Sequence, residues 1–299
     1  MAALWIHAVE QGLAYGIAAL GVFLTYRILK FPDLTVDGSF VTGAAIASVL
    51  LTQCGIEPFT VLVLAFLGGG IAGLITGLLN TRLGITNLLA GVLTMIMLYS
   101  INLRIMGRPN LSLLRAPTVT RIIEAAWSPL GSLAVLAFIG LLTLAVKLLL
   151  DGFLRTEIGF ALRATGDSEA MITAQGVNTK TMKILGLALS NGLVALSGAL
   201  VAQYGGFADV GMGLGTIVTG LAAVIIGGTL IRSNHVGWMT LSVLLGSLIY
   251  RIAVILALRY GYVIGFQASD LKLITALLVV LALVVPYLRE RRLRKVSAC

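Results

Sequence analysis

Residues 31–40 read FPDLTVDGSF. Asp33 and Asp37 stand four residues apart, about one helical turn, between two strongly apolar runs at 6–29 and 40–51. Carboxylates in such a place can cap a helix, line a water-filled path, or hold an ion or proton. An aspartate at the bilayer centre costs about 2.5–3.5 kcal/mol. The two acids are therefore expected at a membrane edge, in a wet cavity, or paired with a base. Arg27 and Lys30 are close enough in sequence to be that base. Pro32 cannot continue the preceding helix comfortably and pushes Phe31 toward extended geometry. Asp37 or Ser39 can cap the helix that follows. Two readings stay open: a capped helix start at the cytoplasmic side of a pore, or a broken helix whose acids border a translocation path.

Other polar residues interrupt the apolar segments. Asn87, Thr94 and Asn102 lie in 85–103, and Asn191 lies in 180–203 with Gln203 and Tyr204 at its end. Each can bond to a neighbouring helix, worth roughly 0.6 to 2 kcal/mol, or face a solute. Asn87 and Asn191 join Asp33, Asp37 and Ser39 as pathway candidates. Arg251 can snorkel outward or pair with Asp209 or Asp270. His7 and His235 are far apart, and Cys54 and Cys299 have no metal-ligand spacing, so no metal site is expected. There is no GxxxxGK[ST] loop, HExxH or GxSxG. An enzyme is not expected, nor a cofactor.

The elements that must position these residues follow from composition. The 299 residues are 59% hydrophobic and 11% charged, against roughly 25% charged in a soluble domain, and mean hydropathy is +1.03. The chain cannot cover a water-facing surface, so an all-α polytopic membrane protein is expected, a single transmembrane unit over 1–299. Nine segments approach the roughly 20 apolar residues that span hydrocarbon: 6–29, 38–53, 58–79, 85–103, 131–150, 180–203, 214–230, 236–257 and 270–288. The second and seventh are short, as discontinuous or re-entrant helices often are. Glycine-rich runs such as LGGGIAGLITGLL at 67–79 let helix backbones approach closely. The N-terminus MAALWIHAVEQG lacks a basic region and a cleavage site, so it reads as part of the first helix rather than as a signal peptide.

Net charge is +9. No basic stretch with interleaved aromatics offers a nucleic-acid surface, so the cations read as markers of cytoplasmic loops. The polar loop 151–183 and the basic tail 289–299, RERRLRKVSAC, should both be cytoplasmic, which with nine spans puts the N-terminus outside. On that topology 14 of the 21 basic residues fall inside. The loop 104–130, with four arginines, runs against it. Within 151–183, GDSEAMITAQGVN has the pattern of a short amphipathic helix. Asp167 or Ser168 can cap it, Glu169 suits its first turn, and Gly176 suits its end. Ala170, Met171, Ala174 and Val177 share a face. A helix this short needs something to pack on: its own bundle or a partner.

The run TEIGFALRATGDSEAMITAQGVNTKTMKILGLALSNGLVALSGALVAQYGG, followed by GLAAVIIGGTL, resembles the membrane permease subunits of ABC importers that serve branched-chain amino acids, ribose-type sugars and nucleosides. The similarity spans about 12–285, with the pieces in matching order. The resemblance implies that GDSEAMITAQGVN is a cytoplasmic coupling helix seated in a cleft of an ATP-hydrolysing subunit, with Gly166, Asp167, Ser168, Glu169, Ala170, Met171, Ala174 and Gln175 at that contact. It implies as partners two cytoplasmic ATP-binding subunits, a second permease copy (identical or homologous) and an extracytoplasmic solute-binding protein, all at a bacterial cytoplasmic (inner) membrane. It also places the Asp33–Asp37 break in the central pathway. The run IIGGTLIRSNHVGW departs from the glycine-rich turn common after IGGT, and FPDLTVDGSF is closer to a branch that handles aromatic or other amino acids. The expected function is import of an amino acid or a related small polar solute. The alternative is an ion-coupled secondary transporter using Asp33 and Asp37. A channel fits less well, because it needs no docking helix.

Overall fold

The computed structural model describes residues 2–127, 132–231 and 233–263, with 273, 276, 277, 279, 280 and 284. The segment 270–288, the tail 289–299 and Asp270 lie largely or wholly outside the described residues.

The other eight expected segments are helices. In chain order they are α1 (Ala2–Phe23, continued by a π-helical turn Leu24–Ile28), α2 (Thr35–Thr52), α3 (Pro58–Leu83), α4 (Asn87–Met106), α6 (Ser132–Leu154), α9 (Thr179–Gly205), α10 (Thr216–Leu230) and α11 (Val236–Val263). Seven are long and apolar enough to cross a membrane, and α10, at 15 residues, is not. Three further helices differ from the sequence expectation or were not part of it. These are α5 (Val119–Ala126), capped by the Thr118 hydroxyl, then α7 (Glu157–Asp167) and α8 (Glu169–Ala174). Two short strands, β1 (Asn110–Ser112) and β2 (Phe207–Asp209), pair antiparallel with Leu111 opposite Ala208.

The 27-residue α9 is the axis of the bundle and is buried along most of its length. At about 1.5 Å per residue it is about 40 Å long, more than the hydrocarbon thickness of about 30 Å. α1 runs against it, with Ser197 Oγ donating to the Ala14 carbonyl and Ser190 Oγ to that of Gly21. α3 also runs against it. Gly69 meets the backbone of Asn191, Gly73 that of Leu187, and Gly77 that of Ile184. α2 runs with α9, Ser39 level with Asn191 and Gly43 level with Ala195. The glycines of 67–79 are thus a track for α9, as close packing without a hydrophobic drive requires.

α2 begins level with the middle of α9 rather than with its end. After Ile28 the chain turns through Lys30, the one described non-glycine residue with positive φ (52°). It then climbs back through buried Phe31 and Asp33 before α2 starts. The π turn is closed by Leu29 N–H to Leu24 carbonyl (3.0 Å) and Phe31 N–H to Thr25 carbonyl (2.9 Å). π turns of this kind often mark functional positions. α10 is interrupted in the same way from the other side: after β2 the chain dips through 210–215 before the helix begins. Both short segments expected to be discontinuous therefore start inside the bundle, facing each other.

Candidate functional site: a mid-span polar node and an exposed end helix

The break and α9 meet in a buried cluster. Asp33, 2% exposed, accepts the Thr35 N–H at Oδ1 (2.9 Å) and Asn191 Nδ2 at Oδ2 (2.7 Å). Asn191 also donates to the Leu187 carbonyl (3.0 Å), and its Oδ1 accepts from Ser39 Oγ (2.7 Å). Beside them Thr35 and Thr76 share a hydroxyl–hydroxyl bond of 2.7 Å. Three pathway candidates, Asp33, Ser39 and Asn191, are thus one hydrogen-bonded unit tying α2 to the thirteenth of the 27 residues of α9.

Asp37 does different work. Its Oδ2 accepts the Gly215 N–H (3.0 Å) and its Oδ1 the Ile217 N–H (2.8 Å). It caps α10, from another helix, at amides that have no intrahelical acceptor and where the helix dipole favours an anion.

Several expectations are corrected here. Neither Asp37 nor Ser39 caps α2: its N-cap position is Leu34, without a side-chain bond, and the Thr35 amide goes to Asp33 instead. Neither acid pairs with Arg27 or Lys30, because Lys30 reaches the opposite way, to Asp167 (2.9 Å). Asn87 is apart from the node. It accepts from Asn80 Nδ2 (2.8 Å) next to the turn between α3 and α4. Arg251 does not snorkel or pair with Asp209. Its guanidinium lies 3.6 Å from the Tyr15 ring centroid, a cation–π contact, and Tyr15 stacks on Phe40. Asp209 instead accepts the Gly211 N–H.

One polar residue of consequence was missed in the sequence. Glu10 is 1% exposed and accepts from Tyr204 Oη (2.7 Å) at the β1–β2 end of the bundle. Its place as a lone acid in an apolar helix was the available signal. Asn102 was expected either to bond a neighbouring helix or to face a solute. Its Nδ2 does donate across to the Gly38 carbonyl (3.2 Å).

At the opposite end α7 and α8 form an angled pair. Gly166 lies against the Ile28 carbonyl, where a Cβ would collide, so α7 seats directly on the break. Ser168 caps α8, its Oγ accepting the Met171 N–H (3.4 Å). Gly176 is left-handed (φ 85°), with Val177 N–H reaching back to the Ile172 carbonyl (3.3 Å). The cap and the terminating glycine match the sequence pattern, but the helix is shorter and its packing differs. Its buried anchor is Ile172, while Ala170, Ala174 and Gln175 are exposed and Met171 is 58% exposed. Two ion pairs hold the segment, Lys30–Asp167 and Lys183–Glu169 (2.6 Å).

The Lys30 ammonium, by hydrogen bond and then by charge, with Arg163 adding a little, holds the Asp167 carboxyl below the ordinary aspartate range. A lowered value in the folded state means that the pair contributes above the ordinary aspartate pKa and is lost as pH falls through the lowered one. Both partners are well exposed, so the contribution to stability is small. Lys30→Met is expected to move Asp167 titration back up toward the ordinary value, read from its side-chain carboxyl 13C shift. An unchanged titration would mean that Lys30 is not the cause.

A bundle of seven membrane-length helices and the shorter α10, with α2 and α10 starting at mid-span around buried carboxylates and a capped amphipathic helix presented at one end, defines a polytopic membrane transport protein. The chain belongs to the family described as branched-chain amino acid transport system / permease component, an ABC-importer permease family, whose model matches residues 6–285. It is 44% identical over 275 residues to a tyrosine transport system permease protein of Clostridioides difficile (strain R20291), covering 92% of this chain and 88% of that one. It is 37% identical over 283 residues to an uncharacterized protein of Rickettsia prowazekii (strain Madrid E), covering 93% and 96%. A branched-chain amino acid transport permease of Methanocaldococcus jannaschii, named there as a probable LivH, is 28% identical over 192 residues, covering 60% of this chain and 59% of that one.

Proposed function

We propose that this permease carries an amino acid with an aromatic or large apolar side chain, L-tyrosine being the first to test, and that α8 is where its motor engages. The observation that carries the second part is the division of α8 into one buried anchor, Ile172, and an exposed set of Ala170, Met171, Ala174 and Gln175. The anchor fixes the helix to the bundle. The exposed residues, with Gly166, Asp167, Ser168 and Glu169, are the surface for an ATP-binding subunit. Two such subunits would grip the two copies of α8 in a permease pair, identical or homologous. An extracytoplasmic binding protein would deliver solute to the other end. The α7–α8 end is then cytoplasmic and the N-terminus of α1 external, in a bacterial cytoplasmic membrane. The substrate class rests on the tyrosine permease relative at 44% identity. Hydrolysis would occur in the partner, and this chain would move.

The break is the natural route for that movement. α7 sits on Ile28, Lys30 holds Asp167, and three residues later Asp33 enters the node that bonds α2 to α9. Coupling needs contacts that differ between two states, and these short links from the docking helix to the node can supply them.

The test is Met171→Glu with Ala174→Glu in proteoliposomes holding permease, ATP-binding subunits and binding protein. Burying a methionine is worth about 1.5–3 kcal/mol, so subunit association is expected to weaken about 10- to 100-fold. ATP-driven L-tyrosine uptake should fall with it, while the amount of inserted permease is unchanged. Normal uptake by this variant would overturn the assignment of α8.

A further inference from the structure

At the β1–β2 end of the bundle a cavity of about 360 Å³ opens between the start of α1, the end of α9 and α5. α5 is fixed beside it: the Val119 N–H donates to Gln203 Oε1 (3.0 Å), and the Thr118 hydroxyl caps the helix. Glu10 lines this cavity and is 1% exposed. All of its bonds fall on one oxygen. Tyr204 Oη donates to Oε2 (2.7 Å), and His7 Nδ1 lies 3.1 Å from that same atom. Oε1 has no hydrogen-bond partner among the described residues, yet it is not enclosed by protein atoms as Asn102 Oδ1 is. An oxygen that is neither bonded nor enclosed is open, and the open space beside Glu10 is the cavity that it lines. Buried acceptors are almost always matched. Water can bond such an oxygen but leaves a buried charge without a counter-charge, which is costly.

Two charged side chains of α5 line the same cavity. Arg121 and Glu124, three residues apart and so on one helix face, are both exposed, and neither forms an ion pair among the described residues. Leu113 and Val135 add buried apolar wall. The volume is at the lower end of the range for small-molecule pockets, so groups on its walls are within reach of one small solute. A simple cation would suit Glu10 and be repelled by Arg121. A simple anion would suit Arg121 and be repelled by Glu10 and Glu124. A zwitterion satisfies both signs. We propose that this cavity is an outer binding site for a free α-amino acid, with its ammonium on Glu10 Oε1, its carboxylate at Arg121 and its side chain against Leu113 and Val135. This rests on the reading above that the chain imports an amino acid, and it adds a place where the permease itself holds the solute, ahead of the mid-span node.

The first measurement needs no transport. Leu114 lines the cavity and is 65% exposed, so in a Cys54→Ser, Cys299→Ser background Leu114→Cys reacts with a methanethiosulfonate reagent. On the purified full-length permease L-tyrosine is expected to slow that reaction at millimolar concentration. 3-(4-Hydroxyphenyl)propanoate, which lacks the ammonium, and tyramine, which lacks the carboxylate, are not. Protection by either analogue equal to that of L-tyrosine, or no protection by L-tyrosine, overturns the proposal. The second measurement repeats the first in two variants. Glu10→Gln keeps an oxygen for Tyr204 and removes the charge, and Arg121→Gln changes an exposed residue. Hydrogen bonds to charged groups are worth enough that each should raise the half-protecting concentration of L-tyrosine at least about tenfold. Arg121→Gln decides the matter even where Glu10→Gln fails to fold. An unchanged half-protecting concentration in Arg121→Gln sinks the site while leaving the transport function standing. Absence of ATP-driven uptake by the unaltered transporter would instead sink the function, and the protection measurement would still decide the site.

Discussion

Gly43→Val is expected to abolish the folded permease, and Gly198→Leu to do the same from the facing helix. α2 and α9 touch backbone to backbone at both places. A side chain at Gly43 would be driven into the Ala195 carbonyl, and one at Gly198 into that of Phe40. Neither obstacle is the end of a flexible side chain that can rotate away. Overpacking usually costs about 1–3 kcal/mol and occasionally more. Here relief requires the two helices to separate, which would also stretch the Ser39–Asn191 and Asp33–Asn191 bonds between them, so the cost belongs at or above the upper end. It greatly exceeds the gain of up to about 1 kcal/mol from replacing a helical glycine. Gly152→Ala is the control. It lies in α6 with open space where its Cβ would stand, and should be neutral or slightly stabilising. Thermal unfolding in detergent, with yield of monodisperse protein, distinguishes the two classes. A well-folded Gly43→Val protein would mean that α2 and α9 are not held this closely.

The same glycines show what the sequence discloses and where it stops. Hydropathy located eight described helices because a bilayer imposes a length, and it marked α2 and α10 as short. Glycine spacing at 67–79 announced close packing but not its partner, since α9 is named by nothing local. The cap of α8 was legible because Ser168, Glu169 and Gly176 act on neighbours a few residues away. The face that α8 buries was not, because Ile172 and Met171 are equally apolar and only the bundle beneath them decides. The acids failed in an instructive way. Local reasoning offered Arg27, Lys30 and self-capping to Asp33 and Asp37; Asp37 found its partners at the start of α10 and Asp33, besides the nearby Thr35 amide, at Asn191, all of these more than 150 residues away except Thr35. A buried carboxylate must be satisfied, and the sequence states the need without naming the donor. Asn102 is the converse case: its partner Gly38 accounts for the amide nitrogen, and the enclosed, unpartnered Oδ1 appears only in coordinates.

Replacing Asn191 is expected to be the most damaging polar change in the chain. Asn191→Leu keeps the volume but removes two donors and an acceptor, leaving the Asp33 carboxylate with the Thr35 amide alone and Ser39 Oγ with nothing to donate to. Taking a donor away from a buried carboxylate costs about 1–3 kcal/mol or more, a large fraction of the roughly 5–15 kcal/mol that holds a typical fold. Asn191→Asp should be comparably severe, because it sets two carboxylates 2.7 Å apart where an amide and a carboxylate stood. The exchange Asp33→Asn with Asn191→Asp restores most of the pattern. The amide now on the break keeps an oxygen for the Thr35 N–H and offers its nitrogen to the carboxylate now on α9, which still accepts from Ser39. Only the bond to the Leu187 carbonyl is lost, replaced there by two oxygens facing each other at about the former 3.0 Å. The double variant should therefore recover more than half of the stability lost by Asn191→Asp, measured by thermal unfolding in detergent, and should stay below the parent. Additive losses in the double variant would show that Asp33 and Asn191 do not act as a pair, and the bond joining the break to the bundle axis would have to be sought elsewhere.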